Sequence, residues 1–439
     1  MNRYDNYKDS GFTWIQEIPV EWVLSKVNEV FDERREKVSD QEFEALSVTK
    51  NGIFKQLDSV AKTNDGENRK KVLVNDFVIN SRSDRKGSSG LSEFEGSVSL
   101  INIVLKIKND YPRYIHYLLK STPFQEEFYR NGKGIVADLW STNFQSMKSI
   151  VLPIPPINEQ EQIANYLDWK INDIDRLIHI EKEKIKELEK LKEINFNKII
   201  NSSQHNKSIK IKFFANLYGR IGWQGLNSSE YGDEGVYLIT GTDFYNGTID
   251  FSKCVRVPEF RWEQNDKIQI KNGDLLITKD GTVGKLAIVT NLVEKATLNS
   301  GIMKIDFFRN DIVTKEYLFY ILKSNIFKSW FIDLNAGFAT IIHLYQKDFY
   351  NFSFKYPEMR EQEIIVSKIK KLESVFNNQI AKIEGSIKTL ELLKQSLISE
   401  VVTGKIDVRN VVIPEYEKLT LLDDETEEFD EMEGIEDGD

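Results

Sequence analysis

PPINEQEQI, residues Pro155 to Ile163, and PEMREQEII, residues Pro357 to Ile365, agree at five of nine positions at an offset of 202. The register then holds without a gap, pairing Ile163 with Ile365, Leu167 with Ile369, Ile174 with Phe376, Ile178 with Ile380, Ile185 with Ile387, Leu188 with Leu390 and Leu191 with Leu393. Two unrelated helices would not keep one register for so long, so the chain carries an internal duplication. A second pair lies upstream: YIHYLLKS at Tyr114 to Ser121 and YLFYILKS at Tyr317 to Ser324 share five of eight residues at an offset of 203. Further upstream, Asp76-Phe77-Val78-Ile79 and Asp274-Leu275-Leu276-Ile277 each place an acidic residue before an apolar run. The rest of the two copies diverges, as expected of one packed frame carrying different loops.

Ile163, Leu167, Ile171, Ile174, Ile178, Ile185 and Leu188 step by three, four or seven and form one stripe, with Lys182, Glu183, Lys186, Glu187 and Lys190 facing away. Asn158 followed by Glu161 makes a capping box after two prolines and predicts a helix from near Asn158 to about Ser202. The second copy has Arg360 in place of that Asn, and Gly404 after Val401-Val402-Thr403 is its stop signal. Gly385 inside it costs roughly 1 kcal/mol relative to alanine. At about 1.5 Å per residue a helix of about 45 residues is roughly 65 Å long and must project or bridge. Two matching seams are best buried against each other in an antiparallel coiled coil, which would put the globular domains at opposite ends; the alternative is that each helix packs on its own domain.

Between these helices lie short β-branched or alternating runs broken by Gly, Asn and Asp. Val72 to Val74, Phe77 to Ile79, Ser99 to Leu105 and Leu286 to Val289 read as strands, and Tyr114 to Ser121 and Glu316 to Ser324 as short helices. The expected class is α+β: two α/β domains alternating with two long helices, with a pseudo-twofold duplication. The expected divisions are a domain at 1–156, a helix at 157–205, a domain at 206–356, a helix at 357–405 and an acidic tail, read as disordered, at 406–439.

A chain of 439 residues exceeds what one hydrophobic core supports. Its 40% hydrophobic and 29% charged residues suit a soluble globular protein. Cys254 alone cannot form an intramolecular disulfide, no signal-like stretch opens the chain, and no apolar run spans a bilayer, so a cytoplasmic location is expected. The net charge of −10 is local. Glu415 to Asp439 hold 13 acidic residues and one Lys, a net of −12, which leaves the first 414 residues at +2. Such a block is ordinarily a solvated tail, with interaction or DNA mimicry as its other use.

One loop per copy follows the shared acidic-apolar run: NSRSDRKGSSG at Asn80 to Gly90, and the stretch within GDLLITKDGTVGK at Gly273 to Lys285. Arg82, Arg85, Lys86, Lys279 and Lys285 can contact guanine edges or phosphates, while Ser88, Thr282 and the glycines let the backbone approach phosphate oxygens. Either loop alone also reads as a solvated turn; their correspondence brings DNA contact level with that reading. Trp140, Trp223 and Trp262 fit core or domain-edge packing, and His116 and His343 stand isolated in the sequence, with no metal-ligand spacing. GTVGK at Gly281 to Lys285 fails the phosphate-loop pattern, because Leu286 follows Lys285. Pro155-Pro156 between two isoleucines is not the [DN]PP[YF] of amino-methyltransferases, and no nucleophile elbow stands out. The expectation is a non-catalytic chain without cofactor or metal.

The order of domain, proline-led EQ helix, domain and proline-led EQ helix resembles the specificity subunit of Type I restriction-modification systems. The likeness rests on WIQEIPVEW at Trp14 to Trp22, the two loops, PPINEQEQI, LNSGI at Leu298 to Ile302 and LISEVVTGKIDVR at Leu397 to Arg409; the acidic extension lies outside it. The resemblance implies that each variable domain reads one half of an asymmetric bipartite double-stranded DNA site and that the helices set the gap. It also implies two modification subunits, which methylate adenine with S-adenosylmethionine, and ATP-dependent restriction subunits. The other readings are a coiled-coil assembly scaffold, or the specificity component of a related restriction class whose partner fuses nuclease and methyltransferase.

Overall fold

The computed structural model describes residues 2–56, 66–133, 140–202, 207–220, 226, 228–335 and 343–419. Trp223, residues 203–205 of the expected first spacer and residues 420–439 of the acidic tail lie outside them. The chain divides into two compact units: Met1–Glu183 with Ile383–Asp439, and Lys184–Lys382.

The first unit centres on an antiparallel sheet of β1 (Phe31–Glu33), β2 (Asp76–Asn80), β3 (Ser89–Leu91) and β4 (Asn102–Ile107), in the order β3-β2-β4-β1. It continues through α1 (Pro112–Lys120) and α2 (Phe144–Met147) into the long α3 (Ile157–Asn201). The second unit repeats this with β5 (Ala215–Gly219), β6 (Leu275–Thr278), β7 (Leu286–Ile288) and β8 (Ile302–Phe307), in the order β7-β6-β8-β5. It is followed by α4 (Lys315–Lys323), α5 (Gln346–Phe349) and the long α6 (Met359–Val402). The α+β class and the duplication expected from sequence are those observed, strand for strand in these sheets.

The central strands are buried on both faces, and the two-residue period of a strand sends alternate side chains to different cores. Phe77 and Ile79 join the main core beside α1 and α3, whereas Val78 faces a smaller cluster with Val72, Val98 and Val104. In the second unit Leu275 and Ile277 meet the helical core and Leu276 the smaller one. The acidic residue ahead of each central strand closes a turn: Leu73 N–H donates to Asp76 Oδ2 and Lys271 N–H to Asp274 Oδ2, each at 2.9 Å. That turn displaces the expected strand at 72–74, because Asn75 adopts φ 68° and Val74 is exposed, so the strand is Arg69–Val72. The strand expected from Ser99 starts at Asn102, whose N–H closes a turn onto the Ser99 carbonyl at 3.0 Å.

Within each unit the long-helix segments run antiparallel. In the first, Gln162 Nε2 donates to the carbonyls of Val408 and Val411 while, further along α3, Asp175 meets Lys394 at 2.7 Å. In the second, Lys192 meets Asn377 at 2.7 Å and Phe196 and Ile200 share a core with Ile365 and Ile369. The start of α3 differs from the expected Asn158 cap. The Pro156 carbonyl already accepts from the N–H groups of Glu159 and Gln160 at 2.9 and 3.0 Å, which makes Pro156 the boundary residue. The end of α6 is a Schellman motif, with Gly404 at φ 76°, its N–H on Val401 O and Lys405 N–H on Glu400 O. Beyond it the chain stays attached: Val408 is buried, and Asn172 donates to Glu417 O at 3.0 Å and accepts from Leu419 N–H at 2.7 Å. The tail expected from residue 406 therefore follows α3 at least to Leu419.

Candidate nucleic-acid interface

The glutamine of each EQ motif explains why that motif recurs. Gln160 Oε1 accepts from Tyr111 N–H at 2.8 Å and Gln362 Oε1 from Thr314 N–H at 2.9 Å, in both cases at the start of the short helix after the sheet. Their Nε2 groups donate to Pro155 O at 3.0 Å and Pro357 O at 2.9 Å. Both glutamines are buried, and each fastens a long helix to a domain with an amide that satisfies backbone on two segments. The YxxY helices repeat the same logic. Tyr114 and Tyr317 donate to the carbonyls of Pro153 and Lys355, and Tyr117 and Tyr320 to the carboxylates of Asp168 and Glu373 on the long helices.

This frame carries a corresponding hairpin in each unit, β2-β3 and β6-β7, and the two close with the same bond. Asn80 N–H donates to Ser88 O and Thr278 N–H to Lys285 O, both at 2.9 Å. In each, the residue before the closing carbonyl is a glycine at φ 90°, Gly87 or Gly284, a left-handed conformation that a side chain would strain. Ser88 and Lys285 are therefore equivalent positions, separated in register because the second loop is one residue shorter.

The candidate residues separate by placement. Arg82 and Lys86 are exposed and Arg85 is half-buried, while Ser88 is buried, at 4% exposed. Lys86 is paired with Glu126. Asn80 Oδ1 accepts from Arg82 N–H at 3.1 Å, and Lys120 props the hairpin from beneath through the carbonyls of Gly87 and Ser89. In the second unit Thr282 and Lys285 are exposed and Lys279 is half-buried against Asp280 at 2.7 Å. Thr278 Oγ1 braces that loop, donating to Thr282 O at 2.6 Å and accepting from Lys285 N–H at 2.9 Å. The frame thus brings Arg82, Arg85 and Lys86 onto one hairpin, and Lys279, Thr282 and Lys285 onto the other.

His343, isolated in the sequence, is not isolated in the fold. Its Nδ1 lies 2.7 Å from Asp280 Oδ1, so Asp280 ties the hairpin to a segment 63 residues downstream. Burial opposes the Asp280 charge, but hydrogen bonds from Lys279 and His343 outweigh it and hold the carboxyl below its ordinary value. His116, beneath the first hairpin, accepts from Leu91 N–H at 3.3 Å and is pushed down to about 3 by burial, then by Lys120 and Arg113. Trp140 is 38% exposed beside Arg82 rather than packed in a core. Among the described residues no group of three or more His, Cys, Asp or Glu is placed to hold a metal ion.

The family model described as "Type I restriction modification DNA specificity domain" matches the chain twice, over residues 19–190 and 191–389. The chain is 23% identical over 459 residues to the putative type I restriction enzyme MjaX specificity subunit of Methanocaldococcus jannaschii, covering 92% of this chain and 98% of that one. It is also 23% identical over 318 residues to the type I restriction enzyme MjaVIII specificity subunit of the same organism, covering 67% of this chain and 71% of that one. A solved structure from work on complex assembly and conformational transition of the type I R-M system superposes with a TM-score of 0.63 at 14% identity, over 89% of this chain and 99% of that one. At that identity the superposition speaks for the fold. With two copies of the domain covering most of its length, on a frame whose four-stranded sheet repeats strand for strand, the chain belongs to the Type I restriction-modification DNA specificity family.

Proposed function

We propose that this chain is the non-catalytic, sequence-reading subunit of a Type I restriction-modification complex, acting in the cytoplasm on double-stranded DNA. The observation that carries the reading is the hairpin that recurs on the same frame with different side-chain chemistry: Arg82, Arg85 and Lys86 in one unit, Lys279, Thr282 and Lys285 in the other. Two unlike readers on one chain suit a bipartite site whose halves differ. Arginine forks favour guanine edges and lysines serve phosphates or single acceptors, so the two halves are read by different contacts. The long helices set the gap between halves and offer the docking surface for two modification subunits, which methylate adenine with S-adenosylmethionine. Restriction subunits contribute ATP-driven cleavage, and both cofactors belong to those partners. No helix among the described residues is long and apolar enough to cross a membrane.

The test is a double substitution of Arg82 and Arg85 by Ala, followed by determination of the DNA sequence preferred by the full-length chain. Relaxation confined to one half of the site supports separate readers. Equal weakening of both halves overturns them.

A further inference from the structure

We infer that each hairpin shares its DNA face with a second reading strip, residues 140–143 in the first unit and 343–345 in the second, an inference that rests on the hairpins being DNA readers. Each strip is the chain immediately ahead of a short helix, α2 or α5, and each is fastened to its hairpin by the same backbone bond. Thr142 N–H donates to Ser81 O at 2.9 Å, and Leu344 N–H to Lys279 O at 3.0 Å. In the first unit a further bond runs back from Ser83 N–H to Trp140 O at 2.9 Å, and Arg82 bridges to Ser141. A strip held this way moves with the hairpin and meets whatever the hairpin meets.

The exposed groups beside the strips are those of a binding surface. In the first unit Arg82, Ser141, Asn143, Trp140, Leu100 and Ile101 surround a cleft of about 500 Å³. Leu100, Ile101 and Trp140 each leave 38–39% of their surface exposed there, an apolar wall next to two cations, Arg82 and Lys70, two carboxylates, Glu33 and Asp84, and the hydrogen-bonding side chains of Ser141 and Asn143. In the second unit Tyr345 is 57% exposed, its ring 5.9 Å from that of His343.

The hydrogen-bonding character of the two strips is opposite. Asn143 Oδ1 is used internally, accepting from Ser146 N–H at 2.9 Å, so its amide group is left to donate outward. A carboxylate only accepts, so His343 carries a proton on Nδ1 toward Asp280, and Nε2 is an acceptor when the ring is neutral and a donor when it is charged. The first strip therefore suits acceptor edges such as guanine O6 and N7. The second, with the ring neutral, suits the exocyclic amino group of adenine or cytosine. The same frame with inverted donors and acceptors is what two unlike half-sites require.

The test selects a randomised duplex pool on the full-length chain and sequences the captured DNA. Asn143→Asp keeps the oxygen that caps α2 and deletes the outward donor; His343→Phe keeps a ring and deletes the acceptor. Each should weaken the preference at a base position in its own half-site by about five-fold or more, the low end for a well-made base contact. His343→Gln, which restores an acceptor, should recover part of that preference, whereas a purely structural role would show as a lowered melting temperature with unchanged base preference. Arg82→Ala and Lys285→Ala are run alongside. If these relax their half-sites while Asn143→Asp and His343→Phe leave every position unchanged, the strips are not readers and the hairpins still are. If none of the four alters the selected sequence, the hairpin reading fails as well.

Discussion

Replacing Gln362 with Leu tests whether the EQ motif recurs because its amide fastens helix to domain. The side chain is fully buried and makes three bonds: Oε1 accepts from Thr314 N–H at 2.9 Å, and Nε2 donates to Ile312 O at 2.7 Å and Pro357 O at 2.9 Å. Leucine fills similar space but leaves all three backbone groups without that partner. A buried group left unpaired costs about 1–3 kcal/mol, so three of them, allowing for relaxation, give a loss of about 3–5 kcal/mol. For a unit of this size that corresponds to a fall in melting temperature of roughly 10 °C. Thr314 also caps α4, its Oγ1 accepting from Tyr317 N–H at 3.1 Å, so the loss should begin where α4 starts. Urea unfolding of the full-length protein, followed by circular dichroism and compared with the exposed control Gln395→Leu, measures the difference. A loss below about 1 kcal/mol, matching the control, would refute the proposed fastening.

Three further outcomes follow. Because the Asp280 carboxyl is held below its ordinary value, its contribution is full above that value and is lost as pH falls through the lowered one; Asp280→Asn should flatten the acid limb of unfolding measured between neutral pH and pH 2. His116, ordinarily near 6.5 and held neutral down to about 3, makes stability decline as pH falls across that window by at most about 1.4 kcal/mol per unit; His116→Phe, the residue at the matching position Phe319, should reduce that slope in pH-dependent denaturation. Four residues inserted between Glu183 and Lys184 lengthen the helix by about 6 Å, so the selected DNA gap should grow by up to roughly 2 bp; an unchanged gap would exclude a helix ruler.

The parts legible in the sequence are those governed by local periodicity and by identity between the copies: the stripe from Ile163 to Ile174, the strands through Phe77 and Leu275, and the Gly404 stop. Local rules also misled. Asn158 and Glu161 look like a cap, but the Pro156 carbonyl two residues before Asn158 takes the first helical bonds, and Asn75 in a left-handed turn ended a strand that hydropathy would continue. The candidate site was half legible. Basic loops on a shared frame can be seen in the sequence, but the burial of Ser88 and the equivalence of Ser88 with Lys285 are hidden by a one-residue difference in loop length. One signal was available, the Gly87 and Gly284 that precede them. The contact of His343 with Asp280 is made by the fold across 63 residues, and no spacing rule announces it.

The most direct measurement of the central claim is the sequencing of methylated adenines in cells carrying the whole system, with this chain intact and with Arg82 and Arg85 replaced by Ala. An asymmetric two-part motif is expected in the first case, and in the second the same gap and one unchanged half beside a relaxed other half. A motif that does not depend on the chain, or one that loses both halves together, would contradict it.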